Sequence, residues 1–182
     1  MLCASAIAEV KVTVSKRDHV VQGTTAASLV RSMNASPVRG DHGNAYASIH
    51  PTFNLSVNTT QRGGQCRAEV DIRLHFDLTL PKAASPGGMS SSTRAAWDSF
   101  VNYARWHEAQ HQSSYTGCAR SFVSKAERMG DKQCLALQSE IRTTFNQMKR
   151  DCEARQLDFD RVERPKVAGM RLFSMARAQR RR

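Results

Sequence analysis

No apolar run in the chain approaches the roughly 20 residues that a membrane-crossing helix needs, which excludes a multi-spanning membrane protein. There is no C-x-x-C pair, so a cysteine-based zinc site or dithiol redox motif has no support. No internal repeat and no recognised nucleic-acid motif occurs. Acids are scarce, 16 against 27 Lys plus Arg, and none follows Glu163. The resulting net charge of +11 points first to nucleic acid or an anionic surface. Its distribution weakens that reading. Arg164, Lys166, Arg171, Arg177, Arg180, Arg181 and Arg182 supply seven of the eleven charges, which leaves a body of only +4. A basic tail over residues 164–182 is therefore expected. It would touch anionic envelope surfaces rather than nucleic acid.

What is present fits one globular domain. A length of 182 residues with 40% hydrophobic and 24% charged residues can bury a core without help from metal or disulfides. Residues 1–8 are small and apolar, and Ala6-Ile7-Ala8 reads as an A-x-A cleavage site. They are expected to be the remnant of a secretory signal, with the domain spanning residues 9–163. Of five cysteines, Cys3 leaves with such a signal. Cys66, Cys118, Cys134 and Cys152 then remain for two disulfides, by any of three connectivities. A secreted or periplasmic location follows.

Val10, Val12 and Val14 predict a short strand, and residues 24–33 a short helix with a threonine cap. Phe53, Leu55 and Val57 alternate within the segment 46–57. The clearest strand follows the turn signal Gln61-Arg62-Gly63-Gly64. There Ala68, Val70, Ile72, Leu74, Phe76, Leu78 and Leu80 occupy every second position. The two segments predict an antiparallel hairpin. From Arg94 the period becomes helical, with Trp97, Val101, Ala104, His107, His111, Tyr115 and Cys118 on one stripe. Gly130 ends that helix, and a second is predicted from about Asp131 to about Ala154. The fold class is α+β.

The chemistry lies in Trp106-His107-Glu108-Ala109-Gln110-His111, an H-E-x-x-H motif. Residues four apart share a helix face, so both imidazoles can aim at one Zn2+. Such an ion takes a third protein ligand and leaves a position open for water. Glu108 points beside the metal, where it can take the proton of the activated water and pass it to the leaving amine. Tyr115, four residues past His111, is a weaker candidate for an oxyanion donor. Trp97 and Trp106 read as core anchors, and His75 as a solvated residue on the wet side of its strand.

The order of features resembles the bacterial family of predicted secreted zinc-dependent proteases known as domain of unknown function 922. The matching pieces are Val-Gln-Gly-Thr24 and its helix, and Gly-Gly-Gln-Cys66 leading into the strand that ends Leu-Thr-Leu-Pro81. Trp97, Phe100, His107-Glu108-x-x-His111 and Cys134 follow. The resemblance covers residues 10 to about 160. It implies a zincin-like metallopeptidase acting on a peptide or protein, with His107 and His111 as ligands and Glu108 as base. A sheet would pack on the active-site helix, and the long alternating strand would serve as the edge that pairs with substrate. One departure concerns the third ligand. The family often carries Tyr-Asp and then Thr, His and Gly near its end. Here the stretch reads Phe159-Asp160-Arg161-Val162-Glu163-Arg164-Pro165, without the later His. Asp160 ranks ahead of Glu140, which lies 29 residues beyond His111. The competing expectation is a zincin-like domain that binds zinc and a peptide or envelope component without turnover.

Overall fold

A computed structural model describes residues 9–40, 43–131 and 133–181. The signal remnant expected at 1–8 lies outside them. The fold is α+β. Strands β1 (Val10–Val21), β4 (Ser48–Arg62) and β5 (Gln65–Ala83) form a sheet in the order β1-β5-β4, with β6 (Gly130–Asp131) also paired to β5. Short strands β2 (Val38–Gly40) and β3 (Gly43–Ala45) pair antiparallel, Val38 opposite Ala45. The helices are α1 (Ala26–Ala35), α2 (Ser91–Ala126), α3 (Cys134–Gly169) and α4 (Arg171–Arg180).

Local chemistry explains these elements. Thr25 caps α1 in a reciprocal capping box with Ser28. Ser90 starts α2 by accepting the Thr93 amide at 3.2 Å. Between β4 and β5, Gly63 and Gly64 hold φ of +57° and +78°. Two consecutive positive φ values define the type I′ hairpin turn, whose twist matches the strands it joins. The predicted hairpin is thus present. On β5, Val70, Ile72, Leu74, Phe76 and Leu78 are all buried, as the alternation predicts.

The sheet departs from expectation in two ways. It is mixed rather than antiparallel, because β1 runs parallel to β5. Ile72 N–H donates to Glu9 O near one end, and Ala84 N–H to Val21 O at the other. And β5 is not an edge. It is flanked by β4 on one side and by β1 on the other, so its backbone groups are already engaged.

The chain divides into two compact units. The first contains residues up to Thr13, Pro51–Phe76 and Ser113–Gln156. Its core includes Phe53, Phe76, Tyr115, Phe122 and Phe145, with Phe122 and Phe145 rings 5.3 Å apart. Two disulfides select one of the three connectivities. Cys66 bonds Cys134 with Cα atoms 5.2 Å apart, and Cys118 bonds Cys152 at 6.2 Å. Both separations suit an unforced bridge.

The second unit contains Val14–His50, Asp77–Gln112 and Leu157–Arg182. Its core packs Val21, Leu29, Met33, Trp97 and Phe100 with Leu172, Phe173 and Ala176. The last three belong to the segment expected as a basic tail. That segment is instead helical, with its apolar residues on one stripe in the core and Arg171, Arg177, Arg180 and Arg181 exposed. The α3 helix likewise continues past Ala154 to Gly169 and tolerates Pro165. The apolar signal fades there because the buried stripe passes through polar residues. Gln156 is 3% and Glu163 4% exposed.

Candidate metal centre

His107, Glu108 and His111 lie on α2 and Asp160 on α3, all within the second unit. The four-residue spacing places the two imidazoles on one helix face, edge-to-face, with ring centres 4.7 Å apart and planes at 79°. Asp160 Oδ1 lies 3.0 Å from His107 Nε2 and 2.9 Å from His111 Nε2, and the two Nε2 atoms are 3.0 Å apart. Three ligand-type atoms thus form a nearly equilateral triangle. They form a group that can hold a metal ion.

Proton counting favours a cation at this point. Two neutral imidazoles bring at most one Nε2 proton each to three close contacts. If both rings are protonated at Nε2, two donors face each other. If one is not, its lone pair faces the carboxylate. A bound cation would let all three lone pairs be directed at it. The edges fit as well, since metal–ligand bonds of about 2.0–2.1 Å in tetrahedral geometry imply ligand separations of about 3.3–3.4 Å. An outward adjustment of the three ligand atoms by a few tenths of an ångström would reconcile the observed edges with that geometry. His107 Nδ1 is buried without a hydrogen-bond partner among the described residues.

Two carboxyls here titrate abnormally in opposite senses. Burial alone would raise Asp160, but hydrogen bonds from His107 and His111 and their charges outweigh it and hold the group well below the usual carboxylate range. Glu108 is only 6% exposed. Burial pushes it up to about 7, Asp160 adds to the rise, and His111, His107 and His50 oppose it. Glu108 therefore sits on the buried stripe of α2, a core position occupied by an acid.

Phe159 orders the rings. It stacks on His107 at 4.8 Å and 26°, and meets His111 edge-on at 5.1 Å. One turn away, Tyr103 donates to Glu163 Oε2 at 2.7 Å, and Lys166 donates to the other oxygen of the same carboxylate. Lys166 and the Tyr103 hydroxyl hold Glu163 below its ordinary value. Tyr103 is raised, by burial first and then by Glu163. Sequence reasoning missed Tyr103, Phe159 as a packing residue, Glu163 and Lys166. The available signal was spacing: Tyr103 is four residues before His107, and Glu163 three after Asp160.

Of the other candidates, Glu140 is exposed on the part of α3 in the first unit and lies outside the cluster. Tyr115 is also in the first unit, where its hydroxyl donates to Glu153 at 2.7 Å. His75 bonds Thr13 at 2.8 Å. Trp97 is core, as expected, but Trp106 is 45% exposed, beside Tyr103 and Phe159.

A sequence family described as "Bacterial protein of unknown function (DUF922)" matches residues 17–168. The chain belongs to the DUF922 family. No curated protein and no solved structure matches it. In this DUF922 chain, no helix of the described residues is long and apolar enough to cross a membrane. Its two disulfides are compatible with an extracytoplasmic location.

Proposed function

We propose that this DUF922 protein is an extracytoplasmic zinc metallopeptidase of zincin-like type. The observation that carries the proposal is the convergence of His107 Nε2, His111 Nε2 and Asp160 Oδ1, with Glu108 adjoining on the same helix. Two imidazoles and one carboxylate form a donor set suited to catalytic Zn2+. When bound, the ion supplies Lewis-acid activation of water and of the scissile carbonyl. Asp160, held ionised, contributes a fixed negative charge that favours a divalent cation. Phe159 keeps both imidazole planes in orientation. The Glu108 carboxylate accepts the proton of the attacking water and delivers it to the departing amine nitrogen. A carboxylate that takes a proton from water can release it to the amine, so one group serves both halves of that transfer.

The same burial of Glu108 favours a second reading, a domain that holds metal and a peptide or envelope component without turnover. Metal analysis and a peptide library separate the two. The proposal expects about one zinc per chain, and peptide hydrolysis that Glu108→Gln abolishes while the metal remains. Stoichiometric metal with no hydrolysis of any library member supports the second reading. Absence of bound metal overturns both.

A further inference from the structure

Tyr103 and Glu163 take no part in the chemistry just described, yet their bond joins the two helices that carry the ligands. Tyr103 is one turn before His107 on α2, and Glu163 is one turn after Asp160 on α3. The Tyr103 hydroxyl donates to Glu163 Oε2 at 2.7 Å. Glu163 is almost wholly buried, and Lys166, one turn further along α3, donates to its second oxygen. A buried carboxylate between a phenol and an ammonium is costly unless both partners stay in place. This chain of contacts is therefore specific in position as well as in partner.

We infer that Tyr103 and Glu163 are positioning residues for the metal centre: their hydrogen bond sets the register of α3 against α2, so that one oxygen of Asp160 reaches both histidines. The inference rests on the metal reading of His107, His111 and Asp160. The geometry supports it in three ways. First, Asp160 Oδ1 must lie within 3.0 Å of two atoms on a different helix, and a shift of α3 along its axis by one residue's rise, about 1.5 Å, would break both contacts. Second, stacking of Phe159 on His107 limits rotation of the ring but opposes axial sliding weakly, because stacked rings slip easily. A short directional bond supplies what stacking lacks. Third, Lys166 offsets the charge of Glu163. Glu163 can then act as a strut without competing with Asp160 for the ion, since both of its oxygens are engaged by Tyr103 and Lys166 and it is not among the clustered ligand atoms.

The role is separable from general stability. Tyr103→Phe removes the donor but keeps the ring, whose centre lies 5.6 Å from Trp106 and 6.0 Å from His107. Glu163→Ala removes the acceptor. Glu163→Gln removes the charge but leaves a carbonyl oxygen able to accept from Tyr103. Cobalt(II) serves as the probe, with affinity from titration and geometry from its visible ligand-field bands. The full-length, disulfide-bonded protein is used throughout.

Tyr103→Phe and Glu163→Ala should each weaken cobalt binding about 10–100-fold, the usual loss for an outer group that orients ligands, and should change the band shape. Glu163→Gln should stay within a few-fold of wild type and keep its spectrum. Helix content and cooperative melting of the metal-free variants serve as the check on folding. Equal affinity and identical spectra in wild type, Tyr103→Phe and Glu163→Ala would overturn the inference and leave the metal reading standing. So would a Glu163→Gln loss as large as that of Glu163→Ala, since charge rather than register would then be responsible. Wild-type protein that binds no cobalt would overturn the metal reading, and the inference with it.

Discussion

Replacing Glu108 by Gln should stabilise the metal-free protein, by an amount that depends on pH. Burial moves this carboxyl from its ordinary 4.5 to about 7 in the folded chain. At about 1.4 kcal/mol per tenfold change in a proton equilibrium, ionising it in place costs roughly 3 kcal/mol of folding stability. The sign follows from proton counting. Between pH 4.5 and about 7 the folded state holds a proton that the unfolded state has released, so stability falls as pH rises through that window. Below it, Glu108 is neutral in both states and costs nothing electrostatically. Glu108→Gln is nearly isosteric and never ionises. It should therefore match wild type near pH 4 and exceed it by about 3 kcal/mol at pH 8. For a chain of this size that is about 6–12 °C in Tm. Thermal melts of chelator-treated protein at the two pH values measure the difference. An equal Tm at pH 8, or a gain that does not vary with pH, would refute the account of Glu108 as a buried acid. The expected combination is unusual: the same substitution stabilises the fold and abolishes the proposed activity, as when a catalytic group is held at the expense of stability.

Three further outcomes are expected. Replacing Cys118 and Cys152 by Ser should cost about 4 kcal/mol by the chain-entropy estimate for a separation of 34 residues, read as a lower midpoint in urea. Phe173→Ala, a truncation in the core of the second unit, should cost about 3–5 kcal/mol; a negligible change would mean that α4 does not pack as described. Asp160→Asn should abolish stoichiometric metal binding. It should also flatten the loss of stability below about pH 4, because the low-lying Asp160 carboxyl stabilises the fold above its ordinary value and gives that up as acid protonates it.

Much of this fold was readable because periodicity is a direct record of burial. The β5 alternation, the Gly63-Gly64 turn and the α2 stripe all appear where the pattern placed them. The errors have a common physical origin. Hydrophobic counting stops where the packed stripe is polar: on α3, Gln156 pairs with Ser114, Asp160 with His107 and His111, and Glu163 with Tyr103, all on α2. Gln156, Asp160 and Glu163 hid the second half of α3 in this way. Charge counting failed at α4, where arginines on the exposed face masked Leu172, Phe173 and Ala176 on the other. The two candidate ligands on one helix, His107 and His111, were legible from spacing alone. Asp160 was reachable only as a candidate, because its 49-residue separation from His111 is set by how α3 lies along α2. Glu108 was read for its chemistry and not for its burial, since no one-dimensional pattern marks an acid as a core residue. The direction of β1 was equally invisible, because parallel and antiparallel neighbours of a strand share the same alternation.

The central claim is that two imidazoles and one aspartate converge on a metal ion. X-ray absorption on wild-type protein loaded with zinc tests it most directly. The account predicts one zinc per chain with two imidazole ligands and oxygen donors at about 2.0–2.1 Å, and loss of stoichiometric zinc in Asp160→Asn. Substoichiometric metal, or a first shell lacking imidazole, would contradict it.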